Sequence, residues 1–395
     1  MPASSITARA VNDRIALDLL QGQGPLTAGQ LKTLTGLSRP SVADLVERLR
    51  TAGLIRVVGE AGAERRGPNA RLYGIVADRA HLAALDVRTG SVAVTVADLL
   101  GTVLAEATLP VGDGAGPGPA DAVEEAAALL EHTVRRAGAS RLHSVGIGAP
   151  GLIDPATGEL RDTSGLPAWH RSLVGALQER LPATVLVENE TNLAALAEQR
   201  SGAARGLDTF VLLWLGHGVG AALVLEGKLR RGASGGAGEI GFLPVPGGGR
   251  GGGLPSATDC ADGFHGLAGS AAICALAAGH GVTAVPERWE PAAAAAVRAA
   301  PAAGRRGEDF LEALARYLAI GAAAVVAVVD PGCLVLGGEI GHAGGADLAA
   351  RVERQLAALS PLRTEVRAGA LGGAAVLRGA LLTARDAAQD DVFGG

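Results

Sequence analysis

Apolar positions recur at helical spacing through the first fifty residues, and then the period changes. Residues 7–20 read as a helix that places Val11, Ile15 and Leu19 together as one wall of a small core. Thr27-Ala28-Gly29-Gln30 has the S/T-x-x-E/Q spacing of a capping box and opens a second helix with Leu31 and Leu34 on one face. Thr35-Gly36-Leu37 breaks it. Ser38 caps a third helix, Pro40 is tolerated in its first turn, and Val42, Leu45, Val46 and Leu49 form a buried stripe that ends before Gly53. Two strand-like runs follow, residues 54–58 and 71–75, around a polar loop that contains Glu64-Arg65-Arg66-Gly67-Pro68-Asn69.

Helix, turn, helix and basic hairpin in this order predict a winged helix-turn-helix over residues 1–76, with the third helix entering a DNA groove. Ser38, Arg39, Pro40, Ser41 and Arg48 would lie on that helix toward DNA. Arg65, Arg66 and Arg71 would reach phosphate or the minor groove from the wing. Residues 1–75 carry 10 Lys/Arg against 6 Asp/Glu, or +4; since the whole chain is −5, the rest carries −9. That polarity suits a protein of which only the N-terminal part meets a polyanion. The plainer alternative is a small helical protein-interaction module whose arginines merely solvate its surface.

Beyond residue 80 the pattern alternates strand and helix. Residues 82–87, 91–98 and 102–109 read as three strands joined by tight turns, followed by a Gly/Pro-rich linker at 112–119 and a helix near 121–137. Strands at 144–148 and 184–187 and a helix at 191–200 complete a first lobe of roughly residues 80–200. A second, roughly 205–370, holds strands at 210–215, 218–225 and 333–336, and a C-terminal helix is expected to return to the first lobe. No short-period repeat is visible, and residues 247–253, six glycines around Arg250, read as a loop. Hydrophobic residues make up 48% of the chain but aromatic ones only 3%, so the core must be built from Ala, Val and Leu. The longest apolar run, residues 317–329, is shorter than the roughly 20 residues of a membrane span. With three cysteines, Cys260, Cys274 and Cys333, in no metal-ligand spacing, a cytoplasmic protein with reduced thiols and no membrane partner is expected.

Four segments together resemble the ROK family of repressors and sugar kinases: Val145-Gly146-Ile147-Gly148-Ala149-Pro150-Gly151, Val187-Glu188-Asn189-Glu190-Thr191-Asn192, the run from Gly232 through Gly238-Glu239-Ile240-Gly241, and the run from Asp330-Pro331 through Gly338. With the winged helix in front, the likeness is to the repressor branch and covers nearly the whole chain. It implies an α/β fold: an N-terminal winged helix-turn-helix followed, over residues 80–395, by a two-lobed actin-like ATPase (ribonuclease H-like) domain with a sugar site between the lobes. Gly148, Gly151, Asn189, Glu190, Glu239 and His265 are the ligand-binding residues this resemblance implies. Asn189 and Glu190 equally suit capping of the helix that follows them. Taken without the resemblance, Glu239 would be a surface residue of a glycine-rich loop and His265 an ordinary histidine.

The departures from the family pattern matter as much. Arg88-Thr89-Gly90 stands where the kinases have a glycine-rich phosphate loop, and a side chain there crowds the approach of an anion to backbone N–H groups. Glu190 stands where the kinases place an aspartate base, and a carboxylate moved by about 1 Å can lose roughly 100-fold in rate. Phe242 occupies the position of a zinc-binding histidine, and a glycine loop replaces the cysteine cluster; Cys260 alone cannot build a tetrahedral site. No catalytic residue, no metal and no ATP are therefore expected. Gly146, Gly148 and Gly151 also spell G-x-G-x-x-G, but Pro150 lies inside it and no helix opens after it to receive a pyrophosphate. Gly337-Gly338 reads as a tight turn after a buried strand. The expected partners are an operator in double-stranded DNA, a sugar, amino sugar or sugar phosphate, and further copies of the chain as a homodimer or homotetramer. Two alternatives stay open: an ATP-dependent sugar kinase that retains a DNA-binding domain, and a ligand-independent regulator with a relic cleft.

Overall fold

In the computed structural model the structure describes residues 5–61, 70–88, 90–111, 119–161, 169–245, 263–287 and 290–394. The first three helices, α1 (Ser5–Gln23), α2 (Ala28–Thr35) and α3 (Arg39–Thr51), pack with a sheet of β1 (Leu26–Thr27), β2 (Ile55–Ala61) and β3 (Ala70–Ile75) in the order β1-β3-β2. Thr27 and Gln30 form the reciprocal capping box that starts α2. Ser38 caps α3 by accepting the Ser41 N–H at 3.3 Å. The stripe Val42, Leu45, Val46, Leu49 is buried.

The face of α1 differs from expectation. Val11 and Ile15 are 52% and 43% exposed, and the buried residues are Ala16, Leu17 and Leu20. Small Ala16 is inside because a helix from the far end of the chain packs there.

The body repeats one topology twice. Lobe one orders its strands β6-β5-β4-β7-β8: β4 (His81–Val87), β5 (Ser91–Asp98) and β6 (Val103–Pro110) form an antiparallel meander. After α4 (Pro119–Arg136) come β7 (Leu142–Ala149), α5 (Trp169–Arg180) and β8 (Thr184–Asn189), with β7 parallel to β4 and β8 parallel to β7. Then α6 (Glu190–Ser201) crosses to lobe two. There β9 (Phe210–Leu215), β10 (Val219–Leu225) and β11 (Lys228–Arg230) form the meander, with β12 (Cys333–Gly337) and β13 (Glu365–Ala368) parallel, in the order β11-β10-β9-β12-β13. The helices between are α7 (His265–Ala268), α8 (Ser270–Gly279), α9 (Ala292–Ala299), α10 (Arg305–Val329) and α11 (Gly338–Leu359). Both sheets therefore place the C-terminal ends of their first and fourth strands at one edge, where crevices of α/β sheets bind ligands.

At 25 residues, α10 is longer than the apolar run seen in sequence, and by length and composition alone it could cross a membrane. Phe310, Leu314, Leu318, Ala322 and Val326 on it are buried in the lobe-two core, the pattern of an internal helix.

The last helix, α12 (Ala375–Gly394), lies on β4, β7 and α6 of lobe one. Glycines make this approach possible: a Cβ on Gly146 would sit 2.1 Å from the Ala380 carbonyl oxygen, and one on Gly379 would sit 2.1 Å from the Leu193 carbonyl oxygen. The far end of α12 enters the N-terminal domain, where Ala384, Ala388 and Phe393 share one buried cluster with Ala16, Leu17 and Leu20. Arg14 of α1 pairs with Asp390 at 2.9 Å, and the Gln389 amide donates to the Leu99 carbonyl at 2.9 Å.

Candidate functional site

Two surfaces carry the chemistry: the start of α3 and the edge shared by the two large sheets. At the first, Ser38, Arg39, Pro40 and Ser41 are all exposed, and the Ser38 and Ser41 hydroxyls are 2.8 Å apart. Arg71 is exposed on β3, opposite Glu60 in the hairpin register. Arg65 and Arg66 lie outside the described residues. Arg48 is placed otherwise than the sequence suggested. Its guanidinium grips Asp13 of α1 with Nη2 at 2.6 Å and Nε at 3.3 Å, and also meets Asp44, so it ties α3 to α1 instead of facing outward. The helix face left open begins with Arg39.

At the second surface, β4 carries Asp86 one residue before its end, β8 ends in Glu188 and Asn189, and β12 runs directly into α11. No tight turn separates that strand from that helix. Gly338 takes φ +77°, and a Cβ there would lie 2.3 Å from the Leu215 carbonyl oxygen, so only glycine lets α11 open at the strand end. Glu339 sits in its first turn, where an anionic side chain is favoured. Arg88 reaches across to it. The guanidinium donates from Nε to Asp86 at 2.8 Å and from Nη2 to the Gly373 carbonyl at 2.6 Å, and its Nη1 meets Glu339. Asp86 is 2% exposed, yet its second carboxylate oxygen has no hydrogen-bond partner. Burial raises the pKa of Asp86, opposed by Arg88.

A second bridge joins the lobes beside the first. Glu188 accepts from Arg231 Nε at 2.6 Å, from the Asn192 side-chain amide at 2.9 Å and from the Asn189 N–H at 3.0 Å. The rim is closed by contact between loops: a Cβ on Gly235 would lie 1.9 Å from the Ile153 carbonyl oxygen.

Among the residues expected to hold a ligand, Asn189 is largely committed to the fold. Its side-chain oxygen caps α6 by accepting from the Thr191 and Asn192 N–H groups, and its amide donates to the Gly151 carbonyl at 2.9 Å. Gly151, at φ +101°, makes the turn this bond holds. Gly148 serves packing: a Cβ there would lie 2.5 Å from Val376 Cγ1 and 2.9 Å from Leu193 Cδ1, so the side a Cβ would fill belongs to α12 and α6. Glu190 and Glu239 come from opposite lobes, and the Glu239 charge acts on Glu190. The Glu190 carboxyl is pushed up to about 8, first by desolvation and then by the neighbouring Asp86, Glu339 and Glu239 charges, against the pull of Arg88. Desolvation also raises Glu239. His265 Nδ1 accepts from the Val219 N–H at 3.3 Å, its ring stands edge-on to Phe242 at 5.4 Å, and burial lowers its pKa. Phe242, at the zinc-histidine position, is thus an apolar wall for His265. The loop at 247–253 and Cys260 lie outside the described residues.

Arg88, Glu339, Glu188 and Arg231 complete the cleft, and only the crowding by Arg88 was legible beforehand. His170 was missed too. It is 0% exposed, lies against the Arg88 backbone, and is held neutral by burial, which takes its pKa down to about 4. A helix opening straight from Gly-Gly was the one available signal for Glu339.

Two lobes with repeated sheets, a cleft at their shared edge and a winged helix in front can be set beside known proteins. Residues 82–387 match the ROK family, and residues 11–66 match the MarR family. The chain belongs to the ROK family. The DNA-binding transcriptional dual regulator NagC of Escherichia coli (strain K12) is 27% identical over 239 residues, 60% of this chain. That match spans 58% of the relative's own length. Among solved structures, a ROK family transcriptional regulator described as a homolog of the E. coli MLC protein superimposes over 98% of this chain and 100% of its own at 22% identity and a TM-score of 0.72, which shows the fold. The ROK hexokinase of Thermus thermophilus covers 78% of this chain and 99% of its own, at 28% identity and a TM-score of 0.61. The kinase thus matches the body alone, and the regulator matches body and winged helix together.

Proposed function

We propose that this ROK protein is a DNA-binding transcriptional regulator, a repressor released from its operator when a sugar-type effector binds between the lobes. The observation that carries the reading is α12. It starts two residues after Gly373, whose carbonyl Arg88 holds in the cleft, and ends in the hydrophobic core of the winged helix. Twenty residues of helix span about 30 Å, so one rigid element touches both sites. Along the way the Ser144 hydroxyl donates to the Ala384 carbonyl at 2.7 Å, which fixes the helix to lobe one. A ligand that changed lobe closure would move the start of α12 and, with it, the wall against which α1 packs. Two half-sites must lie about 34–36 Å apart, so a small rotation of paired recognition helices in a dimer or tetramer weakens operator binding steeply. The protein works where the DNA is, in the cytoplasm.

The kinase reading is not favoured. Arg88 places a guanidinium already bonded to Asp86, Glu339 and the Gly373 carbonyl where the family's phosphate loop would bring backbone N–H groups to an anion, and Glu339 adds a carboxylate at the helix start that could otherwise receive phosphate. Incubation with ATP, magnesium and a panel of hexoses is expected to give no turnover; rates above about 1 per second would restore the enzyme. The direct test of the regulator reading is binding of the full chain to genomic fragments, with Arg39→Ala as the control for sequence-specific contact.

A further inference from the structure

Two arginines join the lobes, and they differ in what they leave free. Arg88 bonds through all three guanidinium nitrogens, to Asp86, Glu339 and the Gly373 carbonyl. Arg231 bonds through Nε alone, to Glu188 Oε2 at 2.6 Å. Other arginines of similar exposure close on a carboxylate with two nitrogens, as Arg298 does on Glu290 at 2.9 and 2.7 Å and Arg367 on Glu365 at 2.9 and 2.8 Å. Arg231 does not, because the Oε1 that a second nitrogen would reach already accepts the Asn192 side-chain amide at 2.9 Å and the Asn189 N–H at 3.0 Å. Among the described residues its Nη1 and Nη2 have no partner. The Arg231 side chain is 49% exposed, whereas the Glu188 side chain that holds it is 9% exposed, so the root of the guanidinium is fixed and its head is open. Both ends of the pair lie next to the cleft. The Arg231 carbonyl accepts the Ala237 N–H at 3.1 Å and so closes the loop that leads into Glu239, while Glu188 stands two residues before Glu190.

We infer that the ligand of the cleft is a sugar that carries an acidic group, a phosphate ester or a carboxylate, and that this group is bound by the free Nη1 and Nη2 of Arg231. The inference rests on the effector reading above. The planar fork of a guanidinium matches both kinds of anion, and it is more weakly hydrated than an ammonium, so less is lost when water leaves it. Because Glu188 already holds the side chain in place, little further ordering is needed when the anion arrives. The acidic groups nearby do not cancel the attraction. Asp86 and Glu339 are tied to Arg88, and the Glu190 carboxyl, pushed up to about 8, is mostly uncharged at neutral pH and meets sugar hydroxyls as a neutral acid.

The test is titration calorimetry of the full chain at pH 7 with glucose, N-acetylglucosamine, the 6-phosphate of each, and glucuronate. At least one acidic sugar is expected to bind about tenfold or more tightly than its neutral parent, the worth of a hydrogen bond to a charged group. The phosphate and glucuronate arms tell which acid the site takes. In Arg231→Gln the ratio of acidic to neutral affinity falls toward one. The unaltered chain gives a second reading that needs no variant: raising the salt from about 0.05 to 0.5 M should weaken the acidic sugar and leave its neutral parent unchanged. A neutral sugar that binds as tightly as its acidic forms, or an acidic preference that survives in Arg231→Gln or is indifferent to salt, overturns this inference and leaves the effector reading standing. If none of these sugars binds while DNA binding persists, the effector reading falls, and this inference with it.

Discussion

Arg39 and Arg88 are the same residue in opposite states. Arg39 stands exposed at the first position of α3, in the part of the molecule with excess positive charge. Arg88 stands between two lobes with each of its three guanidinium nitrogens bonded to the protein itself. A charge can serve an outside partner only if its neighbours have left it unpaired. The DNA reader keeps its arginine open, and the cleft has consumed Arg88 to offset carboxylates. One region is therefore open to a polyanion, and the other ties Arg88 into the joint between the lobes.

The comparison breaks most visibly at Arg88. Arg88→Ala leaves buried Asp86 and Glu339 facing each other without a counter-ion, and removal of one partner from such a set costs about 3 kcal/mol. Urea unfolding should show it as a lower midpoint at an unchanged slope; a midpoint within error of the wild type would mean that the bridge does not join the lobes. Arg39→Ala should leave the urea midpoint unchanged but weaken operator binding by roughly 10- to 100-fold and relax the choice of base. Equal losses on specific and random DNA would reassign Arg39 to the phosphate backbone.

Glu190→Gln sharpens the comparison through pH. The Glu190 carboxyl titrates near 8 in the folded chain against 4.5 as the ordinary value, so between those limits the folded state holds a proton the unfolded state has lost. Wild-type stability contributed by this group falls as pH rises from about 4.5 to 8. The glutamine variant does not titrate, so its melting temperature should exceed that of the wild type by a margin that widens from pH 5 to pH 8. A constant margin would show that Glu190 is ionised throughout. The smallest effect is at the junction of the two regions: Arg14→Ala removes an exposed pair with Asp390 and should change stability by at most about 0.5 kcal/mol. A loss of several times that would make Arg14, through its Asp390 pair and its place over the Phe393 ring, a main tie between the reader and the body.

What the sequence disclosed follows from how local each interaction is. The capping box of Thr27 and Gln30, the Ser38 cap and the Val42 to Leu49 stripe are settled within a few residues, so their pattern was visible. Strand β9 was legible for the same reason, as an unbroken apolar run. Arg88 could be seen to crowd its turn, but its partners Glu339 and Gly373 lie 251 and 285 residues away, and no period in the chain points to them. The face of α1 was misassigned because the wall it packs on arrives from the other end of the chain. Close helix packing there favours Ala16 over the larger Val11 and Ile15. At Gly148 a glycine announces space without saying who fills it, and Val376 lies where a Cβ would stand. The repeated five-stranded lobes escaped notice because what repeats is strand order, not residue identity.

The central claim is that the cleft is read out by the winged helix. The most direct measurement is footprinting of the full chain on DNA from upstream of its own gene, at physiological salt, with and without a panel of sugars. The account predicts a protected inverted repeat that is released as one sugar saturates the cleft. Protection that persists at saturating sugar would contradict it, because α12 would then join the two regions without carrying a signal between them.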